Sequence, residues 1–256
     1  MSVTIKTTKE IELMRHAGKL LEQVHDKLAK IIRPGISTDE IDYEGERMIR
    51  ELGCVSNFLH YNGYPASICV SVNDEVVHGI PKKDKFLREG DIVSLDAGLI
   101  YKGYHSDAAR TYGVGKISQE AQQLIDVTRQ CFFEGIKYAK AGFHLHEISA
   151  AIGKYAEKFG YGVIKDLVGH GIGTHLHEEP QIPNFVCKSR GILLQPGMTL
   201  AIEPMIDMGT AGVCYLDDDW TVVTEGGSLS AHYENTVLIT DGEPALLTLN
   251  RSRICY

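Results

Sequence analysis

The sequence predicts an α+β fold built from two related halves, each consisting of two helices followed by antiparallel strands. The first observation behind this prediction is that helical apolar patterns occur in pairs, with short strand-like runs after each pair. The second is a constant spacing, because IIRPGISTDEI (31–41) and YAKAGFHLHEI (138–148) align at an offset of 107 residues, as do Gly53 and Gly160. A period of this length is too long for a solenoid and predicts an internal duplication.

Residues typical of helix boundaries mark the predicted helices. Thr7 and Ser37 are each followed three residues later by Glu, which is a capping-box pattern, and apolar residues recur at helical spacing after Thr7. Pro34 and Gly53 are the expected ends of the first two helices. The second pair is expected to run from residue 118 to about 140 and from 145 to about 159.

Strand-like runs occupy residues 67–72, 92–100, 105–114, 198–205, 221–224 and 233–240. Two of them carry an aspartate, Asp96 and Asp107, although Asp is depleted in strands. If these two runs pair about a turn between Tyr101 and Lys102, Asp96 lies opposite Asp107 with about 5 Å between the Cβ atoms. Two partly buried carboxylates at that distance require a shared proton, a nearby cation such as Arg110, or a metal ion.

The repeat predicts a second pair of acids. The offset of 107 carries LREGDIVSLD (87–96) onto LQPGMTLAIE (194–203) and Asp96 onto Glu203. SDAART (106–111) is similar to YENTVL (233–238) at an offset of 127, so Asp107 corresponds to Glu234 and about twenty extra residues fall around 206–230. Four buried carboxylates at the centre of the fold would require two divalent cations.

A remaining ligand is expected in the segment GHGIGTHLHEEP (169–180), which contains His170, His175 and His177. The glycine-rich approach to His170, followed by alternation to His177, is typical of a strand that brings imidazoles to a site. Glu178 and Glu179 are expected to form a solvated turn before the following proline.

Composition and charge exclude several classes of protein. The net charge of −8 argues against binding of nucleic acid or of an anionic membrane through a basic face. The first thirty residues contain charges and no continuous apolar run, so no signal peptide is expected, and no later stretch is long enough to span a membrane. The six cysteines are scattered and form no Cys-x-x-Cys pattern, which predicts reduced thiols in a cytoplasmic protein.

Seven segments resemble the motifs of one family: VHGIP (77–81), LDAG (95–98), SDAART (106–111), GHGIG (169–173), HEEPQIPN (177–184), IEPM (202–205) and ENT (234–236). The chain is similar to the bacterial-like type I methionine aminopeptidases from about residue 6 to 247. The resemblance implies the pita-bread fold, with the active site at the centre of two pseudo-twofold-related halves. It implies one catalytic domain over residues 1–256, with halves at about 7–115 and 116–247.

The same resemblance implies a dinuclear metal centre and a hydrolytic reaction. The implied ligands are Asp96, Asp107, His170, Glu203 and Glu234, with Asp107 and Glu234 bridging two divalent ions. One imidazole and four carboxylates suit Mn, Fe(II), Co or Zn. The implied reaction removes the N-terminal methionine from peptides and nascent proteins with a small second residue, using a water that bridges the ions.

Further residues acquire roles only through the resemblance. Glu203 is implied to accept a proton from the water, His177 to donate to the developing oxyanion, and His78 to contact the scissile amide. The implied side-chain pocket is Tyr61, Tyr64, Cys69, Leu176 and Trp220. An apolar pocket with a thiol and aromatic faces suits a thioether. A monovalent-cation site is implied at Asn73, Glu75 and Ser230.

The expected partners are N-termini of peptides and nascent proteins, with a transient contact to the ribosome. The expected state is a cytoplasmic monomer that binds neither nucleic acid nor membrane.

Two alternatives stay open. One is another pita-bread peptidase of the aminopeptidase P or prolidase type, although those carry a sizeable N-terminal domain and this chain starts almost at the first helix. The other is a non-catalytic peptide-binding module, although that reading predicts lost ligands and all five are present.

Overall fold

The structure of the protein is a computed structural model that describes residues 3–250. Its first half contains α1 (Thr8–Ile31), α2 (Thr38–Glu51), β1 (Val55–Ser56), a 3-10 turn (Tyr61–Gly63), β2 (Ile68–Val72), β3 (Glu75–Val77), β4 (Ile92–Tyr101) and β5 (Tyr104–Gly113). The second half contains α3 (Gln119–Ile136), α4 (Leu145–Glu157), β6 (Gly162–Val163), β7 (Gly169–Gly171), β8 (Glu178–Ile182), β9 (Thr199–Ile202), β10 (Met205–Asp207), β11 (Val213–Tyr215), β12 (Val222–Thr224), β13 (Ser230–His232), β14 (Asn235–Leu238) and β15 (Ala245–Leu246). The predicted α+β class is confirmed.

Both predicted capping boxes are confirmed. Glu10 N donates to Thr7 Oγ1 over 3.4 Å, and Thr7 N donates to the Glu10 carboxylate over 2.7 Å. The equivalent pair at Ser37 and Glu40 starts α2. The helix α3 ends at Ile136, short of the predicted end near residue 140, because the chain turns there toward the strands, where Ala141 N donates to Thr240 O over 3.2 Å.

The strands form two large sheets and two small ones within residues 3–250. One large sheet has the order β1-β4-β2, with β5 also paired to β4, and the other has the order β15-β14-β9-β7-β8. The helix α1 packs on β4 and β5, whereas α3 and α4 pack on each other and on strands of the second half. Leu95 and Ala97 belong to the apolar core beneath α1 and α2, so Asp96 between them points to the opposite face. The helices therefore cover one face of the strands and leave the other for the acids.

The predicted pairing of Asp96 with Asp107 is wrong by two residues. The turn lies at Lys102 and Gly103, both with positive φ, so Tyr101 pairs with Tyr104 and Asp96 pairs with Ala109. Because side chains alternate with a period of two, a slip of two residues keeps both acids on the same face. Asp107 therefore lies diagonally across from Asp96 instead of opposite it.

The acids of the second half do lie opposite each other. Ile202 pairs with Asn235, and Met205 pairs with His232. Both pairs belong to one register, so Glu203 lies opposite Glu234. The predicted strand over 198–205 is divided here into β9 and β10, and the predicted strand over 233–240 begins only at Asn235.

Several contacts repeat at the offset of 107 residues. Val55 pairs with Ile100 at the edge of β4, and Gly162 pairs with Asp207 at the edge of β10. Two isolated bridges, Ser37 with Phe86 and His144 with Leu193, have the same relation. These contacts are what an internal duplication requires, and the division into halves at about 7–115 and 116–247 stays a prediction.

The extra residues of the second half form the β11–β12 hairpin. Its strand β12 pairs with β3, at Val222 and Val77, and so returns to the first half of the chain. The short strands β1, β3, β6, β11, β13 and β15 were not predicted, because two or three residues carry no detectable alternation.

Within residues 3–250, no helix combines the length and the apolar character that crossing a membrane would require. The five cysteines in that range are free thiols. The sixth, Cys255, lies outside the described residues.

Candidate metal centre and adjoining pocket

Four acids and one histidine converge on a single cavity of about 210 Å³. Asp96 and Asp107 come from β4 and β5, His170 comes from β7, and Glu203 and Glu234 lie directly after β9 and before β14. The potential ligand atoms of Asp107, His170 and Glu234 all lie within 4.8 Å of one another. Glu203 Oε1 lies 3.6 Å from His170 Nε2. The five residues implied by the family resemblance therefore meet in space.

These side chains have the properties of metal ligands. One carboxylate oxygen on each of Asp96, Asp107 and Glu234 is buried with no hydrogen-bond partner among the described residues. Burial raises the pKa of Asp96 to about 7. Burial, and then the neighbouring acids, also hold the pKa values of Asp107, Glu203 and Glu234 well above their usual range. Unpaired buried oxygens and strong mutual repulsion are what bound cations relieve, so the residues present fit a divalent metal centre.

Arg110 does not neutralise the acids directly. Its guanidinium donates to the backbone oxygens of Ala109 and Glu234 and to the side-chain oxygen of Asn235, the last over 2.6 Å. It also lies over the ring of Tyr233, 4.6 Å from the ring centroid. Arg110 therefore fixes the backbone that carries Glu234, and of the three readings for the acid pair a metal ion fits best.

Hydrogen bonds fix the backbone around the other acids. Thr236 Oγ1 accepts from Asp107 N over 3.0 Å and donates to Asp107 O over 2.9 Å. The side chain of Asn184 donates to Glu203 O over 3.0 Å. Ligands held in this way keep their geometry when no ion is bound.

Three histidines surround the centre in their neutral form. Burial, with His177 nearby, lowers the pKa of His170 to about 3 and that of His78 to about 4. Burial also lowers the pKa of His177. The rings of His170 and His177 lie edge to face with centroids 4.4 Å apart. Tyr61 Oη lies 2.8 Å from His177 Nδ1, and a hydrogen bond donated there leaves the proton on Nε2.

The predicted pocket residues line the same cavity beside the acids. Tyr61, Tyr64, Cys69, Leu176 and Trp220 are all found there, together with His78 and His177. Tyr64 donates to Gly79 O over 2.9 Å and meets Trp220 edge to face, with ring centroids 5.1 Å apart. Trp220 is carried by the turn of the β11–β12 hairpin, so the extra residues of the second half complete the pocket.

The residues predicted for a monovalent cation are only partly free to bind one. Asn73 O accepts from Ser230 N over 2.9 Å, so these two residues are adjacent. The carboxylate of Glu75 pairs with Lys85 and accepts from Val72 N. The site stays a prediction.

The expected character of the segment after His170 is wrong in two respects. The strand β7 ends at Gly171, so His177 lies in an irregular loop and not on a strand, and His175 does not line the cavity. Glu178 is not solvated either, because its side chain is 6% exposed and pairs with Lys6, with 2.6 Å between Nζ and Oε2.

His232, which was not predicted from the sequence, also lines the cavity, and both of its ring nitrogens are unpartnered among the described residues. Its Nε2 lies 3.8 Å from Glu203 Oε2. Its position two residues before Glu234 is the signal that could have found it, since such residues share a face of a strand.

Comparisons with known proteins agree with this geometry. A model of metallopeptidase family M24 matches residues 12–241. The methionine aminopeptidase of Clostridium acetobutylicum is 51% identical over 247 residues, which cover 96% of this chain and 99% of that one. Methionine aminopeptidase 1 of Bacillus subtilis is 46% identical over 246 residues, covering 96% and 99%.

Solved structures show the same relationship. The methionine aminopeptidase of Thermotoga maritima superposes with a TM-score of 0.95 at 43% identity and covers 97% of this chain and 100% of its own. A Xaa-Pro dipeptidase of Bacillus anthracis reaches a TM-score of 0.79 at 27% identity, over 96% of this chain but 62% of its own. The predicted pita-bread fold is thus confirmed, and the chain belongs to the methionine aminopeptidases of metallopeptidase family M24.

Proposed function

We propose that the protein hydrolyses the first peptide bond of peptides and nascent proteins that begin with methionine and a small second residue. The observation that carries this proposal is the cavity in which four mutually repelling acids and a neutral imidazole face a pocket formed by Tyr64, Cys69 and Trp220. A metal-dependent hydrolase requires the acids, and a thioether side chain fits the pocket. The high identity to methionine aminopeptidases over nearly the whole chain supports the same function.

We assign the metal-binding role to Asp96, Asp107, His170, Glu203 and Glu234, which together would hold two divalent ions. The ligand types suit Mn, Fe(II), Co or Zn. When bound, the ions would supply positive charge that lowers the pKa of a water and polarises the scissile carbonyl.

The protein is expected to act in the cytoplasm as a monomer, with transient contact to the ribosome.

The protein residues divide the remaining work. Glu203 accepts the proton of the attacking water, because burial and then the neighbouring Asp96 raise the pKa of this carboxyl and make its carboxylate a stronger base. His177 donates from Nε2 to the developing oxyanion, because Tyr61 occupies its Nδ1. His78 lies at the same cavity wall, with its ring 6.1 Å from that of Trp220, and contacts the scissile amide. The aromatic pocket orients the first side chain so that the peptide bond lies beside the acids.

Substrate choice tests the proposal. Peptides that begin with Met-Ala, Met-Gly or Met-Ser should be cleaved efficiently after the first residue. A peptide with Leu instead of Met in the first position should have a kcat/KM at least roughly 10-fold lower. Met-Lys and Met-Phe peptides should hardly be cleaved, because the second side chain of the substrate would lie against His78 and His177, where there is little space. The measurement is kcat/KM across this panel with Mn or Co present.

The outcomes distinguish the alternatives. Efficient cleavage of Xaa-Pro bonds without preference for methionine would favour an aminopeptidase P or prolidase activity. Binding without turnover under every metal would favour a non-catalytic module. Asp107→Asn should abolish turnover, because it removes the negative charge of a proposed metal ligand. Near-normal kcat in that variant, after refolding with metal, would contradict the assignment of Asp107.

A further inference from the structure

The N-terminal segment lies across the loop that presents His177. Lys6 N donates to Gly197 O over 2.9 Å, and the Lys6 ammonium lies 2.6 Å from Glu178 Oε2. Both side chains are only 6% exposed, and Thr4 Oγ1 donates to the same carboxylate oxygen over 2.6 Å. The ion pair joins residues 172 positions apart and is shielded from solvent.

The second oxygen of Glu178 organises the loop itself. Glu178 Oε1 accepts from His175 N over 3.2 Å, and Gly173 N donates to His175 O over 3.1 Å. A Cβ atom on Gly173 would lie 2.5 Å from Lys6 Cε and 2.6 Å from Glu178 Oε1. Residues 173–178 therefore close around the carboxylate, and Gly173 leaves the space in which the side chains of Lys6 and Glu178 meet.

This loop ends on His177, directly before the buried carboxylate. One side of His177 is fixed by Tyr61, and the backbone on its other side is fixed by Glu178. We propose that Lys6 is a positioning residue for the oxyanion-donating His177, acting through Glu178, so that the N-terminal segment is part of the catalytic machinery. The inference rests on the proposed function in one respect, namely the role of His177.

The physical reason is the cost of an unpaired buried charge. Among residues 3–250, Lys6 is the cation that pairs with the Glu178 carboxylate, and a buried charge left without its partner is strongly unfavourable. The loop must then open to hydrate the carboxylate, which moves His177 away from Tyr61. A displacement of about 1 Å at a catalytic group can lower turnover by roughly 100-fold.

The experiment compares Lys6→Met, Lys6→Arg and the double variant Lys6→Met/Glu178→Gln with the wild-type chain. The matched control is Lys9→Met, which changes an exposed lysine three positions away on α1. For each variant, kcat and KM are measured on a Met-Ala-Ser peptide with Mn present. In the metal-free protein, ¹⁵N NMR reports the tautomer of His177, whose signals are identified by their absence in His177→Gln.

We expect Lys6→Met to lower kcat by about 10- to 100-fold with KM within about twofold, and to replace the single His177 tautomer by a mixture. Lys6→Arg should restore most of kcat, because it returns a cation to Glu178. The double variant should be less impaired than Lys6→Met, since it leaves no unpaired charge. Lys9→Met should match the wild type.

A merely structural role would give a different result. Loss of thermal stability in Lys6→Met with unchanged kcat and an unchanged His177 tautomer would overturn the inference, as would an equally impaired Lys6→Arg variant that folds. If the wild-type protein released no methionine, the proposed function would fail, and the NMR comparison would still decide whether Lys6 positions His177.

Discussion

Replacement of Asp96 by Asn should make the metal-free protein more stable at pH 8, although it removes a proposed metal ligand. The pKa of Asp96 is raised to about 7 by burial. One of its carboxylate oxygens has no hydrogen-bond partner among residues 3–250 that the substitution would break. In the folded state this carboxyl holds its proton to a higher pH than in the unfolded chain. The unfolded chain therefore binds fewer protons between about pH 4 and pH 7, and the free energy of unfolding falls as the pH rises.

The size of the effect follows from the shift. A change of about 3 pH units from the ordinary Asp value, at 1.36 kcal/mol per unit, corresponds to roughly 4 kcal/mol of stability lost at pH 8. Asn carries no charge and should recover up to this amount. For a chain of this size, roughly 2–4 °C per kcal/mol gives an increase in Tm of about 8–16 °C.

The assay is thermal unfolding of chelator-treated wild type and Asp96→Asn at pH 5.5 and pH 8. The stabilising effect should be full at pH 8 and about half as large, roughly 2 kcal/mol, at pH 5.5, because the carboxyl is then ionised in the unfolded chain but still protonated in the folded state. Added Mn should raise the Tm of the wild type at pH 8 far more than that of the variant, because bound ions stabilise the folded state by mass action. Asp241→Asn, at an exposed acid outside the cavity, is the control. An Asp96→Asn protein no more stable than metal-free wild type at pH 8 would refute the reasoning that burial of the ionised Asp96 carboxylate destabilises the metal-free fold.

Three further outcomes are expected. Tyr61→Phe keeps the aromatic face of the pocket but removes the hydrogen bond to His177, which is worth about 0.5–1.5 kcal/mol. The value of kcat should therefore fall roughly 2- to 13-fold with little change in KM. A raised KM at constant kcat would mean that Tyr61 only binds the first side chain of the substrate. Gly18→Ala would place a Cβ atom 2.1 Å from Leu247 O and should destabilise the protein by about 1–3 kcal/mol, despite the higher helix propensity of Ala. The control Gly226→Ala places a Cβ atom with no other atom within 4 Å and should change the Tm little. Equal Tm values for the two variants would contradict this packing. N-acetylated methionyl peptides should not be cleaved, because the amine can no longer bind a cation, and mass spectrometry of the products would detect any cleavage.

Local features were predictable because they depend on neighbouring residues. The capping boxes at Thr7 and Ser37 involve residues three positions apart, and both are present as predicted. The placement of Asp96 and Asp107 on one face also survived an error in register, because alternation depends only on whether residue numbers differ by an even step. The roles of the five proposed ligands came from the resemblance of their motifs to those of a known family.

Contacts between distant segments were not predictable. The register of β4 and β5 was decided at Lys102 and Gly103, whose positive φ values place the turn one residue beyond the predicted position. Glu178 was wrongly predicted to be solvated, because the lysine that pairs with it, Lys6, lies 172 positions away in the sequence.

By itself, the sequence determined where the helices begin, the face on which each acid lies, and the family to which the chain belongs. Tertiary structure alone decided that Lys6 pairs with Glu178, that His232 enters the cavity, and that the β11–β12 hairpin brings Trp220 to the pocket. The physical reason is the range of the interactions. Capping and alternation act within a few residues and leave a pattern along the chain, whereas burial and charge pairing act between segments that only folding brings together.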